Sequence, residues 1–231
     1  MVCYPPGWKA MDFSLYLRQQ VNPIWEAAHT HPFVQGIGKG TLPEEKFIFF
    51  LEQDYVYLIE YCRFFGLAVA KGETLADMQK YAEVLHALLH FEMDLHRSVC
   101  AEFGISAQEL EQVKATPTNI GYTSYLLKVA YAGDAGDILA ALLPCLWGYV
   151  EIGQRLKAQG LPAHKHYRRW IETYASPEFA EISDWCKARL NAFASSQKPE
   201  KLKRLEELFL TTSRWEYLFW EMAWGKKEWP L

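Results

Sequence analysis

The sequence predicts an all-α protein whose helices form a bundle within one domain. Apolar residues recur every three or four positions along nearly the whole chain, which is the spacing of amphipathic helices. No segment shows the alternation of a strand, and no linker rich in proline, glycine or serine divides residues 1–231. Residues 1–11 are expected to form an irregular segment, and the short connections elsewhere favour antiparallel neighbours.

For the first part of the chain the sequence predicts two helices separated by a loop. The first helix is expected to begin after Asp12 and to be bent by Pro23. Residues 31–40 are expected to form a loop because they contain three glycines. The segment 41–44, Thr-Leu-Pro-Glu, is interpreted as a capping box that opens a long helix reaching about Lys71.

The remaining elements are delimited by capping residues, prolines and glycines at helix ends. Their expected bounds are 75–103, a short helix after Ser106, 118–132, 137–159, a short segment at 167–174, a helix from Ser176 and Pro177, and a last helix from Pro199 to about Gly225.

Bulk composition excludes several classes of protein. The formal net charge of −4 argues against a nucleic-acid-binding protein. The five cysteines are widely spaced and include no CxxC pair, which argues against a disulfide framework and a structural zinc site. The N-terminus lacks the apolar core of a signal peptide, and no window holds eighteen uninterrupted apolar residues. We therefore expect a cytoplasmic protein that does not span a membrane.

Three reactive side chains stand on otherwise apolar helical stripes. Asp54 is the one charged residue on its stripe, Cys145 directly follows a proline, and Glu216 lies on the last helix. An ionised carboxylate without a partner costs several kcal/mol to bury, so the two acids need a polar pocket or each other. The stripes are Phe47, Leu51, Asp54, Leu58, Tyr61 and Phe65; Ile138, Leu142, Cys145, Tyr149, Ile152 and Leu156; and Leu205, Phe209, Thr212, Glu216, Phe219 and Ala223.

Each of these residues also has a purely structural interpretation. Either acid could be a carboxylate at the edge of the core, bonded to a tyrosine, a serine or a backbone group. Cys145 could be a small buried hydrophobic residue. A thiol and two carboxylates meeting in one pocket would instead suffice for nucleophilic and acid–base chemistry on a small ring.

A di-iron metalloenzyme is the first alternative function. His86 and His90 lie one turn apart, as do Glu92 and His96, and helical bundles build di-iron sites from such pairs. The two pairs point to different faces of their helix, and the other histidines lie in or beside loops. We therefore expect no metal and no cofactor, and keep His86, Glu92 and His96 as the ligand set of the alternative.

Six segments in order resemble the TenA family, also called thiaminase II, whose fold is the all-helical haem-oxygenase-like bundle. The resemblance extends from about Pro32 to Trp229, and Cys145 matches the cysteine-bearing branch of the family. The segments are Pro32–Gly38, Leu51–Tyr55, Gly121–Ser124, Leu142–Trp147, Trp170–Tyr174 and Glu216–Ala223.

The resemblance implies hydrolysis at the exocyclic methylene of a 4-amino-2-methylpyrimidine, either aminopyrimidine or thiamin, in thiamin salvage. It makes Cys145 the nucleophile and Glu216 the acid and then the base, while Asp54 binds the polar edge of the ring. Glu216, in apolar surroundings, is expected to have a raised pKa. The implied substrate contacts are ring stacking by Tyr57 and Phe219 and hydrogen bonds from Tyr122, Tyr149 and Tyr174.

The family also implies a homotetramer whose other partner is the small pyrimidine. Leu146 and Gly148 stand where aromatic or bulkier residues are common in the family, so the preferred pyrimidine is left open. A non-catalytic protein that binds a pyrimidine is the second alternative function.

Overall fold

The computed structural model describes residues 12–230, which contain twelve α-helices, one π-helical turn and no strand. The expected irregular segment at residues 1–11 lies outside the described residues. The helices are α1 Phe13–Gln20, α2 Asn22–His29, α3 Pro32–Lys39, α4 Glu44–Ala70, α5 Leu75–Ala87, α6 Met93–Glu102, α7 Ala107–Leu110, α8 Pro117–Ala132, α9 Ala135–Gln159, α10 Lys165–Tyr174, α11 Pro177–Ala194 and α12 Pro199–Gly225, and the π-helical turn is Leu88–Glu92.

The helices group into two compact units. The first unit contains residues 12–41 and 136–220 of the described chain, and thus α1 to α3, nearly all of α9, α10, α11 and most of α12. The second unit contains residues 42–135 and 221–230, and thus α4 to α8 with the end of α12. That the whole chain is one domain stays a prediction.

Trp25 occupies the centre of the first unit. Its indole Nε1 donates a hydrogen bond to Ser213 Oγ at 3.0 Å. Its ring meets the edge of Trp147 at 5.5 Å between centroids and stacks with Phe209 at 6.0 Å. Because the one polar atom of the indole is satisfied, the rest of this large side chain is buried without penalty. These contacts join α2 to α9 and α12.

Helix α4 is the centre of the second unit, where it packs against α5, α6 and α8. The buried side chain of Gln53 joins it to the start of α8. The Gln53 Nε2 donates to the carbonyl of Lys114 at 3.0 Å, and its Oε1 accepts from Thr116 N at 3.0 Å and Asn119 Nδ2 at 3.1 Å. A buried amide with both ends bonded fixes the relative position of the two helices.

Residues 31–40 form helix α3, so the expected loop was wrong. Pro32 takes the first position of the helix, where its missing N–H costs nothing. The Nδ1 of His31 accepts a hydrogen bond from Phe33 N at 3.1 Å and so caps the helix. Gly40 ends it with a φ of 71°, a left-handed conformation that glycine adopts freely. The stabilisation that the caps give at both ends of α3 exceeds the cost of the glycines inside it.

Three other boundary predictions also needed correction. The expected bend at Pro23 is a break, because α1 ends at Gln20 and Pro23 lies in the first turn of α2. Helix α4 begins at Glu44, two residues later than a capping box at Thr41 would place it; Pro43 is its N-cap and no side chain caps it. Thr41 lies two residues before that N-cap, too far out for a capping box. The helix expected over 75–103 is interrupted by the π-helical turn.

The other boundaries agree well with the sequence prediction. Ser106 and Glu109 form a capping box on the short helix α7, and Ser176 caps α11 by accepting from Phe179 N. Gly104 and Gly160 follow their helices with φ values of 84° and 110°. These ends were predictable because each depends on one or two residue types rather than on tertiary packing.

All three predicted stripes face the interior, and two of their polar members differ from their neighbours. Asp54 is buried, at 6% exposure, like the rest of its stripe. Cys145 and Glu216 are only half-buried, although the other members of their stripes are buried. The thiol and the second acid therefore retain accessible surface where the apolar residues around them have none.

Helix α9 is long and apolar enough to cross a bilayer by length and composition, and it is the one such helix among residues 12–230. Its most apolar window is 78% buried inside the molecule. That burial favours a core helix, because a membrane-spanning helix turns apolar side chains towards lipid.

We predict that Gly153→Ala lowers the free energy of unfolding by about 1–3 kcal/mol, because overpacking forces a backbone shift. A Cβ at Gly153 would lie 2.7 Å from both the Ala175 nitrogen and the Tyr174 carbonyl carbon. Gly148→Ala, on the same helix with nothing within 4 Å of its Cβ, is the matched control. That control should gain about 0.5–1 kcal/mol from helix propensity. Denaturant unfolding compares the two, and equal stabilities would contradict the close approach of α10 to α9.

Candidate active site

Helix α9 presents the candidate nucleophile. Pro144 lies inside this helix, where it has no N–H to donate to the carbonyl one turn earlier. The next residue, Cys145, is half-buried, whereas Leu143 and Leu146 on either side of the pair are buried. The backbone hydrogen bond that Pro144 cannot make is therefore next to Cys145, which is the one position of the stripe on α9 that is not fully buried.

A cluster of aromatic rings lies in the same unit as Cys145. Tyr149, one turn after the cysteine, has its ring centroid 4.7 Å from that of Tyr174 and 5.3 Å from that of Trp220. Trp170 is 4.7 Å from Tyr174 and joins the cluster from α10. Two predicted substrate-binding residues, Tyr149 and Tyr174, are therefore brought together, and the two tryptophans beside them were not predicted.

The other candidates in the first unit lie on α12. Glu216 and Phe219 are three residues apart, so they share one face of the helix. Phe219 is buried at 3% exposure, while Glu216 is half-buried. Between them, the ring of Tyr217 meets the edge of His31 at 5.7 Å. An acid with some access to water and a flat apolar residue one turn later suit a site for a planar ring.

Asp54, in the second unit, is paired with a histidine. Its Oδ2 lies 2.8 Å from His96 Nε2, and both residues are buried at 6% exposure. The other ring nitrogen of His96, Nδ1, lies 3.0 Å from the backbone oxygen of Glu92. The structural interpretation of Asp54 offered a tyrosine, a serine or a backbone group as partner, and the observed partner is none of these.

The sequence did contain a signal for this pair. Glu92 and His96 are one turn apart, on a segment rich in other histidines, and that spacing was assigned to the metal alternative. Helical periodicity shows which residues of one helix share a face, but it does not show which residue of another helix they meet. The contact of His96 with α4 was therefore missed.

Burial and charge together set the protonation of this cluster. Burial by itself would lower the pKa of His96, but the hydrogen bond and negative charge of Asp54, helped by Glu92, raise it above its usual value. For Glu92, burial raises the carboxyl pKa to about 7, with His96 opposing the change and Asp54 adding to it. The cluster is therefore poised to hold protons close to neutral pH.

Cys62 and Cys100, the two thiols near the cluster of Asp54, Glu92 and His96, are poor nucleophiles. Burial, and then the charge of Glu92, raise the pKa of Cys62 to about 11. Burial, and then the charges of Glu52 and Asp54, raise the pKa of Cys100 to about 12. Since the thiolate is the reactive form, both are unreactive at neutral pH.

Two further predicted residues meet in the second unit. The ring centroids of Tyr57 and Tyr122 are 5.3 Å apart at 36°, and Tyr61 follows at 5.2 Å from Tyr57. Tyr57 and Tyr122 are buried at 5% and 1% exposure. They form a tilted aromatic stack, with a phenol on each ring, that fits a heteroaromatic ligand.

The ligand set of the metal alternative is not formed. His86 is exposed and stacks on His90 at 4.4 Å, whereas His96 is buried and faces Asp54 and the Glu92 backbone. Among residues 12–230 no group of three or more histidine, cysteine or acidic side chains is arranged to hold a metal ion. The physical reason is the one given from the sequence, that the pair His86 and His90 and the pair Glu92 and His96 point to different faces.

Comparison with known proteins identifies the family and its named relatives. Residues 18–226 match the model of the TENA/THI-4/PQQC family. The chain is 47% identical to a protein of Halalkalibacterium halodurans named aminopyrimidine aminohydrolase, over 95% of this chain and 98% of the relative. It is 38% identical to a Helicobacter pylori protein of the same name, over 92% of this chain and 99% of the relative.

Solved structures support the fold. A protein from Silicibacter sp. TM1040, described as a TenA family transcription regulator, superposes with a TM-score of 0.86 at 35% identity, covering 92% of this chain and 96% of that one. A Shewanella denitrificans domain with a heme oxygenase-like fold superposes with a TM-score of 0.71 at 13% identity, covering 92% of each chain, which bears on the fold alone. The predicted all-helical, haem-oxygenase-like fold is confirmed, and the chain belongs to the TENA/THI-4/PQQC family.

Proposed function

We propose that this protein is an aminopyrimidine aminohydrolase that acts in thiamin salvage. The observation that carries the proposal is the 47% identity to a relative of that name over nearly the full length of both chains. The reaction replaces the amino group on the exocyclic methylene of 4-amino-5-aminomethyl-2-methylpyrimidine with a hydroxyl group and releases ammonia. Thiamin, which carries a thiazolium on the same methylene, is the second candidate substrate.

In the proposed first step the sulfur of Cys145 attacks the exocyclic methylene. A carbon–sulfur bond forms as the carbon–nitrogen bond breaks. Glu216 begins as the carboxylate, takes the proton that the thiol gives up and, as the acid, delivers it to the departing amine, so ammonia leaves and Glu216 is again a carboxylate. The product of this step is a pyrimidinylmethyl group bound covalently to Cys145.

In the proposed second step Glu216 acts as the base. It takes a proton from a water molecule, whose oxygen attacks the methylene and displaces the sulfur. The proton returns to the thiolate, so the hydroxymethylpyrimidine leaves and both residues regain their starting forms. A carboxyl group that can both give and take a proton suits these two roles.

The remaining assignments concern binding of the ring. We assign stacking to Tyr57 and Phe219 and hydrogen bonds to the phenols of Tyr122, Tyr149 and Tyr174. Asp54 is assigned to the polar edge of the pyrimidine. The flat, mostly buried character of these aromatic residues supports the assignments, and phenols add polar tips to apolar walls.

The choice of Cys145 is supported by the state of the other thiols. Cys62 and Cys100 are protonated at neutral pH because of burial and nearby carboxylates. Cys186 is buried at 1% exposure on α11. Cys145, half-buried beside Pro144, has the accessible surface that the buried Cys100 and Cys186 lack.

We also propose a cytoplasmic homotetramer that binds neither nucleic acid nor membranes. The net charge of −4 supports the absence of a nucleic-acid partner. Large apolar side chains exposed on the described part of the second unit support assembly, because burying them removes apolar area from water. They include Leu75, Leu89, Phe91, Tyr131 and Trp229.

Cys145→Ala should abolish ammonia release from aminopyrimidine, with kcat/KM falling by about 10³-fold or more, since the covalent route is lost. Cys186→Ala, which removes a buried thiol from the same unit, should retain activity within about threefold, because an exchange of this size outside the pocket leaves the chemistry intact. A coupled ammonia assay measures both. Equal activity of Cys145→Ala and wild type would refute the nucleophile assignment. A wild type that binds hydroxymethylpyrimidine tightly but turns over no pyrimidine would favour the non-catalytic alternative.

Glu216→Gln should lower kcat/KM for aminopyrimidine by about 10²–10⁴-fold, the usual worth of general acid catalysis. The loss should be smaller for thiamin, because thiazole leaves as a neutral molecule and needs no proton. Glu207→Gln removes an exposed carboxylate from the same helix, one whose contact to Lys203 spans 3.9 Å, and should have no effect. Steady-state release of ammonia from aminopyrimidine and of thiazole from thiamin gives the ratio of wild-type to variant kcat/KM for each substrate. Equal losses for both substrates would count against the acid role.

Light scattering on the purified protein should give the mass of four chains, because the exposed apolar surface of the second unit favours burial between copies. Phe91→Glu, which places a charge where a ring is 68% exposed, should shift the mass towards smaller species if that surface is an interface. Lys80→Glu on the neighbouring helix α5 is the charge-changing control. A wild type that elutes as one chain would contradict the assembly.

A further inference from the structure

The pair formed by Asp54 and His96 has an unusual pattern of hydrogen-bonding atoms. Both side chains are buried, and each nitrogen of the imidazole faces an oxygen: Nε2 faces Asp54 Oδ2 at 2.8 Å, and Nδ1 faces the Glu92 carbonyl oxygen at 3.0 Å. A carbonyl oxygen has no proton, so the contact at Nδ1 is a hydrogen bond only when Nδ1 carries the proton.

Counting protons then fixes the state of the pair. With Nδ1 protonated, a neutral imidazole has a bare nitrogen at Nε2, which would face a bare carboxylate oxygen. Two acceptors at 2.8 Å repel each other in a buried site. One further proton must therefore lie between Nε2 and Oδ2, held either as an imidazolium beside a carboxylate or as a carboxylic acid beside a neutral ring.

The charged groups around the ring favour the imidazolium. Asp54 on α4 and Glu92 on the ring's own segment both act on the ring with negative charge. Cys100, on α6, stays a neutral thiol. The nearby guanidinium of Arg97 is turned to Tyr55 and Asp94, where it donates hydrogen bonds at 3.0 Å. A positive imidazolium is thus the charge that this surrounding stabilises.

We propose that His96 is a positioning residue for the reaction, a buried imidazolium that keeps Asp54 ionised and holds its carboxylate in one orientation. His96 binds Oδ2, so Oδ1 is left to accept from the exocyclic 4-amino group of the pyrimidine. The inference rests on the proposed function above, and it adds a residue that makes no contact with the substrate itself. The residue acts through Asp54.

The first test is spectroscopic and needs no turnover. Nitrogen-15 NMR of protein with labelled histidine should show both ring nitrogens of His96 protonated at pH 7, with the signals assigned by their loss in His96→Gln. In Asp54→Asn the ring loses its anion, so it should titrate to the neutral form at lower pH. A neutral ring in the wild type at pH 7, with one protonated nitrogen, would overturn the proposal.

The second test separates positioning from stability. His96→Leu removes both the hydrogen bond and the positive charge that the ring directs at the buried Asp54. We expect kcat/KM to fall by about 10–100-fold, the usual effect of losing a supporting hydrogen bond in a site. His96→Gln restores an N–H donor towards Oδ2 but not the positive charge, so it should recover part of the activity that His96→Leu loses.

His90→Gln, on the same segment but with an exposed ring, is the matched control and should behave as wild type. Thermal unfolding of each variant shows whether a loss of activity follows a loss of fold. If His96→Leu and His96→Gln lose activity equally, the role is structural and the inference fails. If the wild type shows the imidazolium but hydrolyses no aminopyrimidine, the proposed function fails while the ion pair stands.

Discussion

The constraint on which the second unit depends is the burial of charge inside an aromatic core. Asp54 lies at 6% exposure on an otherwise apolar stripe of α4, where a lone carboxylate would destabilise the fold. His96 offsets that cost by pairing with it at 2.8 Å. Because the pairing needs α4 and α6 in one register, the packing of these helices and the pairing of the buried acid depend on each other.

The same physical logic separates the cysteines. Thiols buried near carboxylates are held in the protonated form, as the raised pKa values of Cys62 and Cys100 show. Cys145 lies on the other unit, one residue after a proline, with part of its surface exposed. Among the described cysteines, burial and nearby carboxylates thus keep Cys62 and Cys100 in the unreactive thiol form.

Much of the fold could be predicted from the sequence because it depends on local chemistry. Helix α12 has the predicted bounds, and the capping box at Ser106 and the glycine ends are where short-range rules put them. The errors have the opposite origin. The three glycines of 31–40 suggested a loop, but a cap from His31 and a left-handed Gly40 hold a helix there. The partner of Asp54 was missed because periodicity describes one helix at a time, and the site roles that came from a family resemblance are tested only by the experiments above.

The π-helical turn at Leu88–Glu92 sets the direction in which the side chains of the following helix α6 point. In this turn the N–H of Met93 bonds to the oxygen of Leu88, five residues back, so the turn holds one residue more than a regular α-helical turn. Removing one residue there would rotate everything downstream by about 100° around the axis. His96 would then point away from Asp54, so the extra residue acts as a rotational spacer that aims the imidazole.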